Sequence, residues 1–179
     1  MTQPVQSYIR SQGVACAVIN AVLNPAIAWL GNWQMAFVPL FGENSIVVDT
    51  AVTSIVLSLL VSLFVTPAVR RKHRAGQITG SDAVSWEQRL LSHLPVQAWS
   101  VGLLLGIVAA VILTPLIFAA FRMAGSSGLP FVGFALLKAV YTPALGYLVT
   151  RLVILRQVMC YRTENLHART DSGGAAPRA

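Results

Sequence analysis

The sequence predicts an all-α integral membrane protein: four transmembrane helices arranged as two consecutive hairpins, with both termini in the cytoplasm. Three observations lead there. Only 11% of the 179 residues are charged, against about 25% in an ordinary soluble domain. Four apolar stretches account for the deficit, each at least about 20 residues long, enough to cross a hydrocarbon core of roughly 30 Å. The basic residues are segregated by loop, as expected where positive charge stays inside. Membrane strands would alternate polar and apolar residues, and runs such as Ile55 to Val61 do not.

Residues 1–10 read as a short polar lead. The first helix runs from about Ser11 to Leu30 and contains no charge. Its N-terminus lacks the short apolar core and small-residue cleavage site of a signal peptide, so the helix is expected to remain in the mature chain. The loop from Gly31 to Ser45 holds Trp33, Phe37 and Phe41 around Pro39, aromatics suited to the outer interface. The second helix, from about Ile46 to Val69, contains only Asp49 as a charge and stops at Arg70, Arg71, Lys72, His73 and Arg74. A turn near Gly76–Gly80 is followed by a short amphipathic helix to about Leu94, capped by Ser81 or Asp82 and suited to the inner leaflet. A solvated connector explains the same residues almost as well. A third helix follows over about residues 95–121, a fourth from about Pro130 to Leu155, and then a polar tail, residues 161–179, expected to be disordered. Residues 1–160 would form one domain.

Of the 13 Lys and Arg residues, five lie between the second and third helices and five more from Arg151 onward, while the two outer loops hold only Arg122. That asymmetry places both termini and the central loop in the cytoplasm; the expected location is a bacterial plasma (inner) membrane. It also argues against a nucleic-acid partner despite the net charge of +7; the basic residues set orientation and attract anionic headgroups. Cys16 and Cys160 fall in different compartments of the topology and are not expected to pair.

An internal repeat is suggested by overlaying the halves. Asn24-Pro25 matches Thr114-Pro115, and Asp49 and Thr53 match Lys138 and Thr142, at an offset of about 89 to 90 residues. Both copies would start and end on the same side, a parallel repeat.

The candidate polar centre is Asp49 with Lys138, assisted by Asn20, Asn24, Thr53 and Thr142. Asp49 alone is compatible with an ordinary place in the first turn, where a carboxylate complements the helix dipole. Lys138 demands more. It lies about eight residues into the fourth helix, roughly 12 Å deep, and a cation near a helix N-terminus opposes the dipole. Asp49, the one acid within any span and on the same side of the membrane, is its natural partner. Such a pair either fixes helix register or serves as a site for protons, ions or a small solute.

A second set concerns packing. Gly102 and Gly106 form a GxxxG motif on the third helix. Thr50, Ser54, Ser58, Ser62 and Thr66 recur every fourth residue along the second, winding gently around it at about 40° per step. Small hydroxyls allow close approach of helices; the competing reading is the polar lining of a pathway. Catalytic sets, metal-ligand clusters and intramembrane histidines are missing from the sequence, so no enzyme, metal or cofactor is expected. Two functional readings follow: a small permease-like protein, oligomeric because four helices enclose little space, or a non-catalytic accessory or assembly subunit in a larger membrane complex.

Overall fold

The computed structural model describes residues 3–79, 91, 95 and 97–173, with side chains described for 4–31, 33–78, 91, 95 and 97–160. Four long helices dominate: α1 (Val5–Asn32), α2 (Ile46–Arg74), α3 (Ala98–Met123) and α4 (Phe131–Gly173). All four contain a segment long and apolar enough to cross a membrane. The helix expected between Ser81 and Leu94 lies outside the described residues, apart from helical, buried Leu91.

The helix boundaries differ from expectation at three ends. α1 begins at Val5, inside the stretch read as a polar lead. Val5, Tyr8 and Ile9 are buried against Val69, Ile154, Leu155 and Val158, and this packing extends the helix beyond its charge-free stretch. α2 continues through the basic cluster to Arg74, where cations favour the C-terminal end of the dipole. α4 continues to Gly173, into the tail expected to be disordered.

α2 and α3 end alike. Ala75-Gly76 and Ala124-Gly125 close their helices with glycine in the left-handed region, at φ of 65° and 66°. The Gly76 amide donates to the His73 carbonyl and that of Gln77 to Lys72; Gly125 and Ser126 donate in the same pattern to Arg122 and Phe121. Both are Schellman caps, in which glycine avoids the cost a Cβ would carry.

Two short strand pairs join the segments at opposite ends of the bundle. β1 (Gln3–Pro4) pairs in parallel with β3 (Ile78–Thr79). β2 (Phe37–Pro39) pairs antiparallel with β4 (Gly128–Pro130), with Val38 opposite Leu129. The start of α1 and the exit of α2 therefore share one end, and the α1–α2 and α3–α4 loops share the other.

The helices run up and down in sequence as two hairpins, but neither hairpin is closed on itself. α1 packs mainly on α4, and α3 on α2; α2 and α4 meet at the centre. The glycines explain the exchange of partners. A Cβ on Gly13 of α1 would lie 2.6 Å from the Tyr147 ring, and one on Gly146 of α4 would lie 2.9 Å from Asn20 Nδ2. Gly102 and Gly106 bring α3 equally close to α2. Close approach therefore occurs where small residues allow it, across the halves of the chain. α1 and α3 turn broad apolar faces outward, including Val22, Leu30, Val111 and Leu116, as lipid-facing helices do.

Candidate functional site

Asp49 is placed by the start of α2. Ser45 caps that helix, its hydroxyl accepting from the Val48 amide at 3.3 Å, and Asp49 follows in the first turn. On α4, Phe134, Lys138 and Thr142 recur every fourth residue and share one face. All three are buried. Lys138 Nζ donates to Asp49 Oδ1 at 2.7 Å, joining the two central helices. The partners are not equally enclosed: the side chain of Lys138 is 3% exposed and that of Asp49 28%. The ammonium also lies 5.3 Å from the centre of the Phe134 ring, within range of a cation–π attraction.

The remaining candidates extend this contact across three helices. Thr142 donates to the Lys138 carbonyl at 2.7 Å and reaches the Asn20 carbonyl of α1 at 3.2 Å. Asn20 Nδ2 donates to the Cys16 carbonyl at 2.8 Å, and Asn24 Nδ2 to Asn20 Oδ1 at 2.9 Å. Thr53 Oγ1 donates to the second Asp49 oxygen at 3.5 Å, the limit of a hydrogen bond. The chain Asn24, Asn20, Thr142, Lys138, Asp49, Thr53 is thus continuous in space. Sequence reasoning omitted two members of its surroundings, Phe134 and Tyr141. Tyr141 lies close to Asp49, Thr50 and Thr53, with its hydroxyl buried. The spacing of four residues between Phe134 and Lys138 was available as a signal.

The five packing candidates also come together, as a seam between α2 and α3. A Cβ on Gly102 would meet the Leu59 backbone and the Ser62 side chain at 2.8 Å, and one on Gly106 would meet Ile55 Cα at 2.7 Å. Ser54, Ser58 and Ser62 are buried. Thr50 and Ser54 return their hydroxyls to carbonyls one turn back in α2, each at 2.7 Å. Ser62 crosses to the Ala98 carbonyl of α3 at 2.6 Å. Ser54 and Ser62 thus direct their hydroxyls to backbone within or across this helix contact.

Each helix also contains one proline: Pro25, Pro67, Pro115 and Pro143. Each follows Asn or Thr, and the proposed repeat relates two of the four, Asn24-Pro25 and Thr114-Pro115. Proline leaves a carbonyl one turn back without its amide; the helices continue through all four. Among the described residues, no group of three or more His, Cys, Asp or Glu side chains is placed to hold a metal ion. Compared with protein-family models, curated proteins and solved structures, the chain matches none.

Proposed function

We propose that this is a non-catalytic multi-pass membrane protein whose ion pair clamps its central helices together, and that it works by packing with other membrane helices, as an accessory subunit of a larger complex or as a homo-oligomer. The observation behind this reading is the engagement of the polar centre with itself. Lys138 is 3% exposed and paired at 2.7 Å, and Asn20, Asn24 and Thr142 direct their hydrogen bonds to one another and to nearby backbone. A ligand site presents convergent polar groups to its ligand; these groups serve the bundle. In this reading the chain sits in a bacterial inner membrane with both termini cytoplasmic.

The reading includes a parallel duplication. Gly13 lies against Tyr147 and Gly102 against Ser58, at the same offset of 89 residues that separates Asp49 from Lys138. The contact of α1 with α4 then corresponds to that of α3 with α2, and the central contact corresponds to itself.

A permease-like role for a small solute or proton is the second reading. It rests on Asp49, 28% exposed and therefore open to exchange from one side. One preparation separates the two. Extracted natively in mild detergent, an accessory subunit brings a partner at fixed ratio, or a homo-oligomer elutes as one defined assembly; a lone monomer counts against the first reading. Reconstituted into vesicles, the permease translocates a solute or protons, and Asp49→Asn abolishes the flux while the protein remains folded.

A further inference from the structure

We propose that the groove between α1 and α4, at the end of the bundle that holds β1 and β3, binds a phosphate-bearing anion at the level of the lipid headgroups. The groove has a volume of about 420 Å³, within the roughly 300–1,000 Å³ of small-molecule sites. Two helix faces build it. Gln6, Ser7 and Arg10 come from the first two turns of α1, and Tyr147 and Arg151 from α4. Their spacings, three and four residues on α1 and four on α4, align each set on one face.

Three features suit the groove to phosphate. Arg10 and Arg151 supply two guanidinium groups, whose planar forks match phosphate oxygens. Gln6 and Ser7 add neutral donors. The site also lies at the N-terminal end of α1, where the helix dipole favours an anion. The floor is fixed by packing: the Tyr147 ring lies so close to Gly13 that a Cβ there would come within 2.6 Å. Ile9 and Leu155 complete the lining with apolar surface, suited to the glycerol and first acyl carbons of a lipid. Basic pockets between transmembrane helices at the inner face are a recognised form of anionic-headgroup site.

The site is independent of the role assigned to Asp49 and Lys138. It is tested on the full chain in detergent micelles, with phosphatidylglycerol, phosphatidylcholine or inorganic phosphate added. Native mass spectrometry counts retained lipid, and thermal melting reads stabilisation. Wild type is expected to retain phosphatidylglycerol over phosphatidylcholine. The double variant Arg10→Gln/Arg151→Gln should lose that retention by on the order of thirtyfold, the combined contribution of two basic residues near a headgroup. Ser7→Trp, which keeps the charge and fills the groove, should lose it as well. Arg122→Gln removes a charge at the opposite end and should leave it intact. Stabilisation by inorganic phosphate, abolished in the double variant and without preference between lipids, supports the site with free phosphate as its ligand. Retention unchanged in the double variant or in Ser7→Trp, or lost equally in Arg122→Gln, overturns the proposal.

Discussion

An ammonium group 3% exposed has lost most of its access to water, whereas the carboxylate it meets is 28% exposed. That difference decides what each substitution leaves behind. Asp49→Asn strands a buried cation on α4, and breaking a buried pair in this way costs about 3–5 kcal/mol. Lys138→Met leaves a carboxylate in the first turn of α2, where water and the helix dipole still support it, so the cost should be clearly smaller. The double variant removes both charges and should recover most of the loss. Reversible unfolding in mixed micelles, analysed as a double-mutant cycle, measures the coupling. Equal and additive effects of the two single changes would show that the pair does not clamp the helices.

At the scale of elements, close approach of backbones decides which helices become neighbours. Gly106 and Gly31 make opposite predictions for the same change. A Cβ at Gly106 would lie 2.7 Å from Ile55 Cα, backbone that cannot move aside cheaply, whereas one at Gly31 meets nothing within 4 Å. Gly106→Ala should therefore lower stability by about 1–3 kcal/mol through overpacking. Gly31→Ala should be neutral or raise it by about 0.5–1 kcal/mol, because alanine loses less conformational freedom in a helix. Melting of both variants in one detergent checks the contrast. The Gly102–Gly106 motif and the serine stripe were readable in the sequence because each has a fixed spacing, and they prove to be the two sides of one contact. The Asp49–Lys138 contact was readable because no other acid lies within a span. Partner exchange was not readable. Apolar faces on all four helices are chemically alike, and nothing in a linear pattern states that Gly13 belongs against Tyr147. The start of α1 was misplaced for a related reason: Arg10 looks like a boundary, while the burial of Val5 and Tyr8 depends on α4 and α2 residues more than 60 positions away, at Val69 and beyond.

For the whole molecule, the two strand pairs sort the chain into ends. One end holds β1 and β3 together with Arg10, Arg70, Arg71, Lys72, Arg74, Arg151 and Arg156; the other holds β2 and β4 with Arg122 and Glu43. The basic end is further consolidated by Lys72, whose ammonium lies 4.7 Å from the centre of the Tyr8 ring, and by Arg70, which donates to Gln157 at 3.1 Å. Such a division is the one expected where Lys and Arg are kept on the cytoplasmic side. Orientation is then a direct measurement. In a background with Cys16→Ala and Cys160→Ala, single cysteines are introduced as Glu43→Cys in the α1–α2 loop and Gln77→Cys beyond α2, both at exposed positions. A membrane-impermeant maleimide applied to intact cells should label Glu43→Cys, and should label Gln77→Cys only after the membrane is opened. The reverse pattern would invert the orientation and move the Arg10–Arg151 groove to the outer leaflet. Labelling of both sites in intact cells would contradict the separation of the two ends by a bilayer.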